Sequence, residues 1–225
     1  MNEPSFGGTV VDLARISPDE AAPDRREQIL AAAERMFSRA GFHRTTMQDV
    51  AAEAGMSPGN LYRYFASKDA LVAGLCERDR KDLAREFADM QGSGADFISE
   101  FRELGRRHFE AAAAGKAKLC LEIWSEATRN PAVAAVQAEF DRALTEQFVG
   151  AFEAAKAEGA IHPSVDTRAV ASLIMKLGDG LFVRRATAAD FDPDREIAEV
   201  FAVVGALLQG QIRLPSSSKK PEVAS

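Results

Sequence analysis

Along most of this chain apolar residues recur at three- and four-residue intervals, the spacing that gathers them on one face of a helix. Ile29, Leu30, Ala33, Phe37 and Ala40 form the first such stripe. Asp24 precedes it with Glu27 three positions on, as in a capping box, and Gly41 stands where the helix must stop. A segment from Thr46 to Gly55, with Asp49 three residues after Thr46, predicts a second, short helix. Ser57-Pro58, an N-cap followed by a first-turn proline, predicts a third of about two turns ending near Phe65. Ser67 caps a fourth that runs to about Met90. Beyond a break at Gln91-Gly92-Ser93-Gly94 the pattern predicts helices over 95–114, 117–129, 131–158, 166–186 and 192–211. Asn130-Pro131, Asp166 and Asp192-Pro193 supply the starts of the last three. No run alternates convincingly as a strand would, so the expected fold class is all-α.

This phasing divides the chain into four parts. Residues 1–23 hold Pro4, Gly7, Gly8, Pro18 and Pro23 without a sustained period and are expected to be a disordered arm. A small helical unit covers 24–75, a larger helical bundle covers 76–212, and 213–225 is expected to be a disordered tail.

Composition narrows the function classes. With 225 residues and 46% hydrophobic content the chain has enough apolar surface for a sizeable core. Its net charge of −6 excludes a general basic coat for nucleic acid, so any such contact must come from a local patch. No uncharged apolar run approaches the ~18–20 residues of a membrane span. Met1-Asn2-Glu3-Pro4 has neither the basic nor the apolar region of a secretory signal, so a cytoplasmic protein without a membrane partner is expected. Cys76 and Cys120 cannot build a disulfide framework and read as reduced thiols. His43, His108 and His162 are far apart and lack metal-ligand or triad spacing. No phosphate-cradling glycine loop is present, so no enzyme, metal site or cofactor is expected.

The informative stretch is Thr46 to Lys68. Two short helices joined by Ala54-Gly55-Met56-Ser57 have the layout of a helix-turn-helix, whose second helix enters the DNA major groove. Val50, Ala51, Ala54, Met56, Leu61 and Phe65 spell out its buried side. The opposite face offers Pro58, Gly59, Asn60, Tyr62, Arg63 and Tyr64, groups suited to base edges, thymine methyls and phosphates. Lys68 follows at the next helix start, where an ammonium and the helix dipole jointly favour a phosphate. Residues 24–69 carry seven Arg or Lys against six Asp or Glu, a local charge of +1 against −7 for the remainder. The asymmetry has the right sign for DNA at one end, although a solvated helical surface accounts for it equally well.

The run Thr45-Thr46-Met47-Gln48-Asp49-Val50-Ala51-Ala52-Glu53-Ala54-Gly55-Met56-Ser57-Pro58-Gly59-Asn60-Leu61-Tyr62-Arg63-Tyr64-Phe65-Ala66-Ser67-Lys68-Asp69-Ala70-Leu71 strongly resembles the DNA-binding domain of the TetR family of bacterial transcriptional regulators. The resemblance covers about residues 24–75 and includes Ile29 through Phe37 to Gly41-Phe42. The remaining two-thirds is similar to the family's ligand-binding and dimerisation bundle in architecture only. The resemblance implies a homodimeric regulator, usually a repressor, on a palindromic double-stranded operator. It implies phosphate contacts from Thr46 and Gln48, with a base contact as the further option for this pair, and a backbone contribution from Gly59 beside Asn60 on the reading helix. Tyr62, Tyr64 and Lys68 match phosphate-contacting positions. Arg63 is expected to read a base, with a phosphate contact as the alternative, and Tyr62 has a partial core role as its alternative.

In the second unit, Phe97, Phe101, Phe109, Trp124, Phe140, Phe148, Phe152 and Phe182 recur on predicted helices. Each reads first as core, and some as the wall of a pocket between helices for a small, largely apolar effector. Phe101, Trp124, Phe148 and Phe182 are the aromatic candidates for that pocket. His108, Glu122, Ser125, Gln137 and Asp179 are polar residues placed to orient such a ligand. The final two helices carry stripes that include Leu173, Leu177 and Leu181, then Phe201, Val204 and Leu208. Two such hairpins about a two-fold axis make a four-helix dimer interface, with intramolecular core as the alternative for one stripe. A DNA-bound scaffold or activator controlled by a protein partner is the rival function.

Overall fold

The computed structural model describes residues 24–91, 96–111 and 114–215. The arm expected over 1–23, the break after Gln91 and the tail beyond Pro215 lie outside the described residues. Every regular element among the described residues is a helix. In chain order these are α1 (Arg25–Ala40), α2 (Met47–Glu53), α3 (Pro58–Tyr62), α4 (Lys68–Gln91), α5 (Phe97–Ala111), α6 (Ala114–Ala127), α7 (Pro131–Ala157), α8 (Thr167–Thr187) and α9 (Pro193–Leu208). The all-α expectation holds, and each predicted helix is present with ends shifted by a few residues.

Local chemistry sets these ends. Asp24 accepts the N–H of Arg26, and Thr46 and Asp49 form a reciprocal capping box at the start of α2. Ser57, Asn130, Asp166 and Asp192 cap α3, α7, α8 and α9, with proline in the first turn of α3, α7 and α9. Gly41 closes α1 at φ +84°, a backbone conformation that side chains with a Cβ resist.

Two cores result. The first gathers Ile29, Leu30, Phe37, Val50, Leu61, Phe65 and Leu71 from α1 to α4, and takes in Leu119, Ile123 and Val133 from α6 and α7. The second packs Phe87, Phe101, Phe148, Phe152, Val204 and Leu208 between α4, α5, α7 and α9. The boundary expected at residue 75 falls within α4, one continuous helix that serves both cores. Leu214, expected in the disordered tail, packs half-buried against the second core.

Polar ties fasten the small unit to the bundle. Arg78 of α4 reaches Glu27 at 3.0 Å and bonds to Glu34, both on α1. Ser38 donates to the carbonyl of Gly115 at 2.9 Å. Glu122 of α6 accepts the backbone N–H of Phe42 at 2.9 Å. His43 meets Glu126 at 2.9 Å, and Arg129 bonds both His43 and Glu126.

Candidate nucleic-acid interface and effector cavity

The helix-turn-helix is built by short-range bonds. In its turn the N–H of Gly55 donates to Ala52 and that of Met56 to Ala51, at 3.1 and 2.9 Å. Gly55 takes φ +65°, as the turn requires. Val50, Ala51 and Leu61 are fully buried at the crossing of α2 and α3, which fixes the angle at which α3 projects.

That geometry leaves one face of α3 without partners. Tyr62 and Tyr64 are exposed, at 52% and 45% of their surface, so the partial core role open to Tyr62 is not taken up. The side chains of Arg63 and Arg44 are exposed and form no hydrogen bond or ion pair among the described residues. Gln48 is exposed at the first turn of α2, and Asn60 is half-buried, its backbone N–H donating to the Ser57 hydroxyl. A Cβ added at Gly59 would meet nothing within 4 Å, so packing does not demand a glycine there.

Two expected phosphate contacts are already engaged within the chain. The hydroxyl of Thr46 donates to the Asp49 carboxylate at 2.7 Å, and its backbone N–H goes to the same oxygen at 2.8 Å. The capping box therefore uses both donors, and holds the Asp49 carboxyl below its usual range. Lys68 donates to the carbonyl of Phe42 at 2.7 Å and lies 4.3 Å from the centre of that ring. Its ammonium is half-buried and secures the α1–α2 loop, a role with no local sequence signal because the partners are 26 residues apart. Two of the arginines counted in this unit are engaged within it: Arg35 and Arg39 both bond Glu53, at 2.7 and 3.3 Å.

A second feature lies inside the bundle. A cavity of about 120 Å³ opens between α5, α7, α8 and α9. Of the residues expected at the effector pocket, Phe101, His108, Phe148 and Phe182 line it. Trp124, Glu122 and Gln137 do not. Trp124 stands behind Phe182, edge-on at 6.3 Å, and Gln137 turns toward α4 and bonds Asp141 at 2.7 Å. Glu122 is committed to Phe42. Periodicity shows that these residues face inward but not which neighbour they meet. Asp179 does line the cavity, as do Leu83, Met175 and Gly178, which the aromatic count passed over. The ring of His108 makes no hydrogen bond among the described residues; burial, aided by the field of Lys116, pushes its pKa down to about 4 and keeps the ring neutral.

The expected interface stripes divide similarly. Leu181, Val204 and Leu208 are buried within one protomer, and Phe201 packs on Phe101 at 5.3 Å and lines the cavity. Leu173 and Leu177 are half-buried against the second core. These side chains are committed largely to the chain's own core. The outward faces of the two helices show Val183 and Val203 instead, 41% and 46% exposed. Cys76 and Cys120 are free, and burial pushes both thiols up to about 12, which suits inert side chains. Among the described residues no helix is long and apolar enough to cross a membrane.

Comparison with known proteins agrees with this architecture. Residues 29–75 match the family described as bacterial regulatory proteins, tetR family, and residues 101–209 match the BetI-type transcriptional repressor C-terminal family. The HTH-type transcriptional regulator UidR of Escherichia coli (strain K12) is 30% identical over 192 residues, covering 84% of this chain and 95% of that protein. Among solved structures, Salmonella enterica GusR superposes with a TM-score of 0.67 at 26% identity, over 82% of this chain and 95% of its own. The regulator FadR from Bacillus subtilis, solved in complex with stearoyl-CoA, shares the fold with a TM-score of 0.67 at 20% identity, over 82% and 98% of the two chains. A helix-turn-helix with an unpartnered outer face, set on a bundle of this design and matched along both units, places the chain in the TetR family of DNA-binding transcriptional regulators.

Proposed function

We propose that the protein is a homodimeric repressor that binds a palindromic operator and leaves it when a small, largely apolar molecule enters the bundle. The observation that carries this reading is the pairing, in one chain, of a projecting α3 whose Tyr62, Arg63 and Tyr64 are exposed with a separate apolar cavity in the bundle. In this reading Arg63 reads a base edge, while Gln48, Tyr62 and Tyr64 hold phosphates. Gly59 admits the DNA backbone and Asn60 supports the reading helix. Thr46 and Lys68 act chiefly by fixing the loop and α2 that position α3. Two such units must stand ~34–36 Å apart, or another whole-turn separation, to enter successive major grooves. A ligand that favours a different separation weakens DNA binding by the same factor by which DNA weakens the ligand, commonly ~1–3 kcal/mol.

The cavity favours a small-molecule effector over control by a protein partner, which a filled core and a broad exposed apolar patch would have suited better. Regulation is also favoured over catalysis. His43 is tied to Glu126 and His162 to Ser164, and His108 faces a largely apolar space lined by no serine, threonine, cysteine or lysine.

The test is fluorescence polarisation with duplex DNA from upstream of the coding region, paired with sedimentation at the same concentrations. Salt-dependent, saturable binding by a dimer, lost on competition with the same duplex, is the expected result. A strictly monomeric protein, or one indifferent to that duplex and to all others tried, overturns it.

A further inference from the structure

The walls of the effector cavity are almost wholly apolar and include the rings of Phe101, Phe109, Phe148, Phe182 and Phe201. Its only ionisable lining groups are His108 and Asp179. No lysine or arginine lines it. The imidazole of His108 stands edge-on to Phe109 and Phe182, at 5.2 and 5.7 Å between ring centres, and has no hydrogen bond among the described residues. It offers one donor and one acceptor to whatever enters.

Asp179 lies one turn before Phe182 on α8, at the open edge of the cavity, and forms no hydrogen bond or ion pair among the described residues. The nearby cations are spoken for. Lys176 donates to the carbonyl and hydroxyl of Ser172, at 2.9 and 2.6 Å, and Lys116 pairs with Asp79 at 3.2 Å. Asp141 adds a second carboxylate to the field around Asp179. The fields of Lys176 on Asp179 and of Lys116 on His108 still reach the cavity, but neither ammonium bonds to Asp179. An anion seated at Asp179 faces that carboxylate with Asp141 behind it, which is costly. A cation there finds a carboxylate with no cation bonded to it among the described residues, and ring faces that attract positive charge.

Size narrows the class. A dry cavity of about 150 Å³ is known to admit benzene, so a space of about 120 Å³ takes at most one ring, and any short substituent must lie at the open edge beside Asp179. We infer that the effector is a small arylalkyl amine in its protonated form, its ring among the phenylalanines and its ammonium on the Asp179 carboxylate. This deepens the sensor reading above and rests on it.

Three probes of nearly one shape test the class: 2-phenylethylamine, 2-phenylethanol and phenylacetate, titrated by calorimetry into the full-length protein and its Asp179→Asn variant. The amine is expected to bind about tenfold or more tighter than the alcohol, with phenylacetate weakest. In Asp179→Asn the amine should fall to the level of the alcohol, whose own affinity stays unchanged. Equal or tighter binding of phenylacetate, an amine advantage that survives Asp179→Asn, or no binding of any probe overturns the inference. The same additions to a protein–DNA complex, followed by polarisation, address the sensor reading separately. An amine that binds through Asp179 without releasing DNA upholds the ligand class and removes the sensing role.

Discussion

The carboxylate of Glu122 on α6 accepts the backbone N–H of Phe42 at 2.9 Å, across 80 residues of sequence. A Cβ on Gly41, the residue before, would come within 3.2 Å of the same oxygen. Gly41 is thus required twice, for its positive φ and for the approach of Glu122. Phe42 itself is buried, clasped from the other side by Lys68. The loop that feeds α2 is therefore held by one residue from the bundle and one from α4.

Removing Glu122 should leave the Phe42 N–H without its protein acceptor. Glu122→Ala is expected to lower unfolding stability by about 1–3 kcal/mol, read from urea denaturation, with Glu122→Gln losing less because an acceptor remains. An unchanged midpoint in Glu122→Ala would show that the bond carries no net weight.

Gly59 separates stability from DNA contact. Its missing side chain has open space around it, so Gly59→Ala should be neutral or stabilise by about 0.5–1 kcal/mol. The added methyl points where the duplex must approach, so operator affinity should fall in the same variant. Thermal unfolding and polarisation, measured side by side, decide it. Equal losses in both would place Gly59 in the fold and not at the interface.

The Arg63 side chain has no partner to lose among the described residues. Arg63→Ala should shift stability by less than about 0.5 kcal/mol. Operator affinity should drop by about 1–3 kcal/mol, with discrimination relaxed at one base position. Full retention of sequence preference across a panel of single-base operator changes would assign Arg63 to phosphate instead.

What the chain's sequence disclosed, and what it withheld, follows from how far apart the interacting groups lie. The capping box Thr46–Asp49 and the starts at Ser57, Asn130, Asp166 and Asp192 rest on bonds spanning two or three residues, so a linear pattern displays them. The turn at Gly55 is equally local. The contacts of Glu122, Trp124 and Lys68 leave no linear trace because their partners Phe42 and Phe182 are distant in sequence and adjacent only through tertiary packing. Spacing marks an inward face without saying which helix stands opposite. Val203 and Val204 differ by about 100° around α9, and that rotation alone puts one in solvent and the other in the core.

His108 makes stability depend on pH in a stated direction. Its pKa falls from 6.5 to about 4 on folding, chiefly because burial disfavours the charged ring. Between these values the unfolded chain binds a proton that the native chain refuses, so stability declines as pH drops from 6.5 toward 4. The slope from this one group approaches about 1.4 kcal/mol per pH unit. Comparing wild type with His108→Phe by denaturant melts across this range isolates it from the carboxylates, whose contributions are common to both. Parallel curves for the two proteins would remove the assigned shift.

The last prediction concerns how two copies meet. Val183 and Val203 present apolar surface on α8 and α9 with no partner in the chain, and the mid-helix glycines Gly180 and Gly205 have open space beside them. A helix interior normally disfavours glycine by about 1 kcal/mol relative to alanine, and close approach of another backbone is a reason to accept that cost. If this face meets its symmetry mate, Val203→Asp puts two like charges near the axis and should shift sedimentation toward monomer while far-UV dichroism stays unchanged. Operator affinity should fall with it, since each half-site then binds alone. Val204→Ala, one residue on and fully inside the protomer, should instead cost about 1–3 kcal/mol of stability and leave the oligomeric state intact above its lowered melting point. A Val203→Asp protein that remains dimeric and binds its operator normally would move the two-fold contact off this face of α9.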